Sequence, residues 1–497
     1  MSLSLTPRDA WQPLPPSAWN AETARHLLRR AGWTARPADV AQAVNEGLAA
    51  TLDRLFPAEP ALLQKPRLVS RFEESAVALV RDLQGKTGDE RLVRQRELQE
   101  RGRLAVQELS VKWLQHAAQP AAAAYAKWVL FLSDVYVVSA EKVRNAGVVF
   151  QHFDLLARHG LGPAPALAKA VSRSPAMVIY LDLGQSQVKA PNENFARELF
   201  ELFVLGEGNY TEADIKEAAR AFTGYRARAD GFFRLDPRQQ DQREKTLFGA
   251  TGNFSGDDVI DLAYRQPAAA TFLPREMARF YLSDAALPPE HLAALGETWR
   301  SNGFELRALV RQFFGSRLFY APEFRGNFIK SPVQFYLALI QDLGLDVAPI
   351  PRLTIAPLRQ MGQALFYPPN VRGWVGGRQW INSSTLSARR QFVESLFAPI
   401  DERSLNADEQ IEIVAARSNG IDHFTVTDDW LASLAPLPPA AAAAQLSARL
   451  LPDANATDVR ATLQTYLATG ADDERQKLRR LRRAAATLLQ SPDYQLC

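Results

Sequence analysis

GDERLVRQRELQERGRLAVQELSVKWLQHA, residues 88–117, sets Leu92, Leu98, Leu104, Val106 and Leu109 among repeated arginines and glutamates. Apolar side chains at these intervals form one stripe of an α-helix, and the Arg/Glu pairs suit contacts one turn apart. The stretch therefore predicts a long amphipathic helix. AETARHLLRRAG, residues 21–32, repeats the pattern with Ala24, Leu27, Leu28 and Ala31. Further helices are expected near 140–160, 164–173, 193–205, 212–223, 257–264, 275–283, 289–302, 305–315, 332–343, 354–364, 384–397, 408–416, 439–449, 456–469 and 473–490. Alternation of strand type is short and local, as in HFTVT, residues 423–427. The expected fold is all-α: a large multi-helix globular body with long ordered loops and a C-terminal helical tail. No fixed-period repeat supports a solenoid.

The 497 residues allow about three domains. The expected divisions are an N-terminal helical region at 1–120, a central helical body at 121–400 and a C-terminal helical region at 401–497. Residues 225–256 read as a loop insertion or a small hairpin, and 401–440 as a linker. The N-terminus is proline-rich and polar, without a leader of signal-peptide pattern, and is expected to pack on the first domain. That points to a cytoplasmic protein, or one exported with a partner. The most apolar window, AAAAYAKWVLFLSDVYVV at 121–138, is broken by Lys127 and Asp134. It reads as a buried core helix, not a transmembrane segment.

Composition excludes several chemistries. Charges nearly balance, 58 Lys+Arg against 55 Asp+Glu, so no nucleic-acid surface is expected. Cys497 stands alone at a chain end expected to be mobile, which rules out thiolate clusters. The six histidines lack His-Glu-x-x-His spacing. His152 and His159 read as polar contacts of their helix, and no catalytic zinc, other metal or cofactor is expected. In ERQKLRRLRRAAATLLQ, residues 474–490, the basic run reads as a solvated face with Leu478, Leu481 and Leu488 inward, balanced by Asp472, Asp473 and Glu474.

Two stretches can carry chemistry. In PNENFARELFELFVLG, residues 191–206, Asn192 can cap a helix on which Glu193, Arg197 and Glu201 share a face. Asn194 and Glu198 lie one turn apart on it. With Leu and Phe elsewhere the helix should be buried, and Arg197 mostly so. The carboxylates fit a structural network around Arg197, a magnesium, calcium or manganese site, or acid/base chemistry by a glutamate of raised pKa. FYPPNVRGWVGGRQWINSSTLSARRQF, residues 366–392, must be a rigid loop; Asn370, Trp374, Trp380 and Asn382 offer amides and indoles to a groove. Equally, its indoles could fill a core gap and Ser383 or Ser384 cap the next helix. The two stretches are expected to face each other.

RHLLRRAGW (25–33), SPAMVIYLDL (174–183), the extended glutamate stretch (191–225), IKSPVQF (329–335), the tryptophan stretch (366–389) and LLQSPDYQL (488–496) together resemble the bacterial family known as domain of unknown function 1800. The resemblance implies a large, mainly helical protein, encoded beside relatives of sulfatases and alkaline phosphatases. That family carries Trp-His-Asn-His-Phe where this chain has Leu132–Tyr136, so both histidine positions are Ser133 and Val135. A second family motif, His-Asp with glycine and lysine, meets Gln240, Asp241, Arg243 and Lys245. The expectation is a non-catalytic binding or assembly protein whose partner is a sulfatase- or phosphatase-like neighbour. The alternative is a hydrolase or group transferase with Glu193, Arg197, Glu198 and Glu201 as catalytic candidates, and Asn192, Asn194, Asn370, Trp374, Trp380 and Asn382 as binding candidates.

Overall fold

A computed structural model describes residues 3–228, 230–452, 456–470 and 473–497. Among the described residues there are twenty-four α-helices, and the only strands form two small hairpins. These hairpins, Tyr225–Ala227 with Phe233–Leu235 and Lys245–Leu247 with Ala250–Gly252, occupy the segment left open between loop and hairpin. The all-α expectation is thus met. The helix Gly88–Ala118 runs unbroken, but Leu92 and Leu104 of its stripe lie exposed. It packs most extensively on Arg67–Gln84, and buried positions occur on it only from Gly102 onward. The stripe is therefore apolar for longer than there is a body to cover it.

Local departures have local causes. The helix expected at 140–160 is two, Ala140–Val143 and Ala146–His159, because Arg144 adopts a left-handed conformation (φ 53°) and Asn145 caps afresh. Helices Pro37–Leu55 and Arg67–Gln84 are present where the periodicity predicts none; the first is bent at Gly47 (φ 81°), which breaks its periodicity. The apolar window forms Pro120–Val135, buried on nearly every side. No helix among the described residues is long and apolar enough to cross a membrane. The N-terminal segment packs on the first region, where Trp19 Nε1 donates to the Ala43 carbonyl at 3.0 Å, and also on later parts of the body: Trp11 Nε1 donates to the His291 carbonyl at 2.7 Å, and the Leu14 N–H to that of Gly315 at 2.8 Å.

One apolar core runs from Ala10 to Tyr494; a small second one holds Ile350, Leu405, Ile413 and Phe424. Through the main core passes a buried polar network to which four of the resemblance motifs contribute, through Arg30, Lys330, Arg389 and Tyr494, and which Thr34, Lys127 and Asp342 complete from outside them. Asp342 accepts from Thr34 Oγ1 and, at 2.8 Å, from the Tyr494 hydroxyl. Lys330 Nζ donates to the Tyr494 carbonyl at 2.8 Å and lies 3.6 Å from the centre of its ring. Arg389 donates to the Lys330 carbonyl and to Gln495 Oε1, at 2.8 and 3.0 Å. Lys127 Nζ donates to the carbonyls of Arg30 and Gly32, at 2.8 and 2.9 Å. Burial pushes Lys127 down to about 7 and Lys330 to about 8, and drives Asp342 upward. Cys497 is not mobile: its backbone pairs with Phe328, and its Sγ accepts from Gln334 Nε2 at 3.3 Å.

Candidate functional site

The glutamate stretch does not form one α-helix. A single α-turn, Asn194–Glu198, opens into a wider π-turn at Leu199–Val204, a distortion that occurs often at functional positions. Phe195, Phe200 and Phe203 are buried, which fixes the stretch against the body. Asn192 Oδ1 accepts from the Asn194 N–H at 2.9 Å, and the two amides donate to the Asp182 and Leu181 carbonyls at 3.3 and 3.1 Å. Both binding candidates are thus committed to tying the turn down.

Arg197 corrects the sequence reading. It meets Glu193 at 3.3 Å, but its main partner is Glu212 of the next helix, at 2.7 and 2.9 Å. Its side chain is 35% exposed, not mostly buried. The wider π-turn carries Glu201 out of the shared face, to the Tyr210 hydroxyl at 3.0 Å and Arg372 Nη2 at 2.5 Å. Exposed ion pairs contribute little. Arg197→Ala is therefore expected to leave the melting temperature within about 2 °C of wild type by calorimetry, and a large drop would restore the buried-pair picture. Glu198, half-buried, is raised by desolvation and then by Glu201, with Arg372 and Arg197 opposing.

The tryptophan stretch does meet the glutamate stretch, but through Arg372, which bridges Glu201 and, at 2.7 Å, Glu207. Asn370 Oδ1 accepts from the Arg372 N–H at 2.8 Å and so shapes the turn. Asn382 caps the helix Ser383–Phe397, accepting from the Thr385 N–H at 2.9 Å. That role was expected of Ser383 or Ser384. Trp374 and Trp380 are 9% and 8% exposed, so the indoles mostly fill space.

What lies open beside them is a cleft of about 510 Å³ whose walls include Asp134, Glu276, Arg279, Asp284, Arg372 and Arg378. Three carboxylates face three guanidiniums. Asp134 Oδ1 accepts from the Trp374 N–H at 2.9 Å, and Asp284 accepts from the Arg378 N–H. The two aspartates thus pin the loop where Gly373 (φ 76°) and Gly377 (φ 67°) leave room for them. Desolvation pushes Asp134 up to about 7; the Trp374 N–H opposes it and Glu276 adds to it. Sequence reading met Asp134 only as a charge interrupting an apolar helix. Such a charge needs a partner or a cavity, and that was the available signal. Glu276, Arg279, Asp284 and Arg378 carried none.

The Asp134 shift has a measurable sign. The unfolded carboxyl releases its proton near 3.8 and the folded one near 7, so folding binds a proton between these values. The stability this proton contributes is complete below about pH 4 and is lost as pH rises through 7. Asparagine keeps the acceptor oxygen without the charge. Asp134→Asn should match wild type near pH 4 and melt a few degrees higher at pH 8; a difference that does not change with pH would refute the assignment.

The altered motif positions are occupied by packing and structural bonds. Ser133 Oγ donates to the Leu130 carbonyl at 2.7 Å, and Val135 lines the cleft. Asp241, beside Gln240, is held well below the usual carboxylate range, first by Arg243 and also by Arg220. Lys245 Nζ donates to the Asp241 and Arg243 carbonyls at 2.8 and 2.9 Å. His152 spends both nitrogens, on Ser174 Oγ at 3.0 Å and the Tyr136 carbonyl at 2.9 Å, and burial pushes it down to about 4. Among the described residues Asp346, Asp422 and His423 could gather round an ion, but Asp346 already accepts the N–H groups of both others. A family model described as Protein of unknown function (DUF1800) matches residues 26–496. No curated protein and no solved structure matches the chain.

Proposed function

The chain belongs to this DUF1800 family, and within it we propose that it acts as a binding or assembly protein whose partner docks over the tryptophan-loop cleft. The observation that carries this reading is the make-up of the cleft. Its lining has no serine, threonine, cysteine, lysine, histidine or tyrosine, so it offers no side-chain nucleophile of those types. It offers instead three carboxylates and three guanidiniums beside the exposed Val375, which suit a polar partner segment held by charge pairs around an apolar contact. Ser133 and Val135, in place of the motif's imidazoles, support the same reading. A sulfatase- or phosphatase-like protein is the partner first to be sought.

The test is affinity purification of the full chain from its native host, with wild type beside Val375→Asp/Arg378→Glu. A stoichiometric partner lost from the double variant and kept by Arg91→Glu, an exposed change outside the cleft lining, is expected. A partner retained by the cleft variant would sink the proposal.

One observation favours a second reading, an enzyme in which Asp134 donates and accepts a proton. A carboxyl pushed up to about 7 beside Glu276 is poised for acid/base work near neutrality. The Glu193–Arg197 group suits that role less well, being committed to exposed ion pairs. Turnover abolished in Asp134→Asn with ligand affinity retained would decide for the enzyme.

A further inference from the structure

The helix Glu474–Gln490 is anchored by one face and leaves another cationic. Leu481, Ala484, Ala485, Leu488 and Leu489 are buried. Arg475, Arg479 and Arg482 border a groove of about 460 Å³ completed by Leu478, Thr427 and Asp428. Positions i, i+4 and i+7 share one helix face, and at 1.5 Å per residue the three guanidiniums spread over about 10 Å.

This stripe is not the usual exposed arginine pattern of the chain. On Gly88–Ala118, Arg94 and Arg101 both reach Glu97, at 2.7 and 2.6 Å, and Arg103 reaches Glu100 at 2.5 Å. Arg479, by contrast, has Arg475, Gln476, Arg482 and Arg483 at the positions one turn away. Like charges at that spacing destabilise a helix. Among the described residues neither Arg475 nor Arg479 forms an ion pair. Of the acids expected to balance the run, Asp472 lies outside the described residues. Asp473 accepts the Arg475 backbone N–H at 3.1 Å, capping the helix, and Glu474 points to solvent.

Arg482 is held in place. It donates to the Phe397 and Val426 carbonyls at 2.7 and 3.0 Å, lies over the Phe397 ring, and meets Asp428 at 3.4 Å. Asp428 is thereby offset at one end, and the Arg475–Arg479 end keeps its charge. A planar guanidinium fork matches phosphate oxygens two at a time, and several of them over such a length need more than one anionic group. We propose that this groove binds a ligand carrying two or more phosphate groups. This site is separate from the tryptophan-loop cleft and does not depend on it.

The probe is sodium tripolyphosphate, titrated calorimetrically into the full chain at fixed ionic strength. Saturable one-to-one binding is expected, weakened tenfold or more in Arg475→Glu/Arg479→Glu. Arg475→Gln/Arg479→Gln should weaken it as well, and guards against misfolding by the reversed charges; unchanged melting temperatures complete that check. Arg91→Glu/Arg96→Glu makes the same charge change at exposed positions that share no face, and should bind like wild type. A parallel arm sediments vesicles containing phosphatidic acid. Vesicle binding with the same variant dependence, but no tripolyphosphate binding, assigns the phosphates to lipid headgroups. Binding that survives both groove variants, or no saturable binding in either arm, overturns the proposal.

Discussion

Asp342→Ala is expected to lower the free energy of unfolding by about 3–5 kcal/mol, the cost of leaving a buried partner charge unmet. The carboxylate is 2% exposed and is the acid that faces Lys330 within the core. Its removal strands Lys330 and takes acceptors from Thr34 Oγ1 and the Tyr494 hydroxyl. Urea denaturation should show a lower midpoint with an unchanged slope, since the surface exposed on unfolding is the same. Asp342→Asn keeps one acceptor oxygen, turns the other contact into a donor and should lose less. An alanine variant within about 1 kcal/mol of wild type would mean that Lys330 is neutral in the folded protein and that the network does not rest on charge.

Gly373→Ala should be the most damaging single-atom addition to the tryptophan loop. The residue sits at φ 76°, where a side chain is strained, and the new Cβ would fall on the Asp134 carboxylate. Strain of this kind costs about 1–3 kcal/mol, and displacing Asp134 also breaks its bond to the Trp374 N–H. The expected result is a loosened loop: faster amide exchange over 372–380, a changed tryptophan emission, and loss of whatever binds the cleft. The helices of the core should keep their protection. Gly373→Ala with wild-type exchange across the loop would show that the Asp134 latch does not hold it.

Much of this could be read along the chain. The stripe of residues 88–117, the apolar window ending near Asp134 and the glycine-rich tryptophan loop each follow from near-neighbour spacing. Spacing of that range is what helix geometry obeys, so the all-α class and most helix positions were legible. Three kinds of feature were not. The π-turn at Leu199–Val204 moves Glu201 off the face of Arg197, and no spacing rule foresees an inserted wide turn. Whether Arg197 or Leu92 is covered depends on what lies opposite, which residue order does not contain. Asn194 and Asn382 stood out as ligands because they are polar, whereas they tie a turn and cap a helix; Asn192, legible also as a cap, accepts the Asn194 N–H.

Residue order by itself determined that this protein is helical, that Asp134 and Lys127 had to be accommodated inside an apolar helix, and that Gly373 and Gly377 stood in a constrained loop. Only the tertiary structure decided where those charges went. Lys127 ends against the backbone of Arg30 and Gly32, Asp134 against that of Trp374 in a cleft shared with Glu276 and Arg378. The physical reason is range. Helix formation is governed by bonds four residues apart, while the burial of a charge is governed by whichever distant segment brings a donor or acceptor to it.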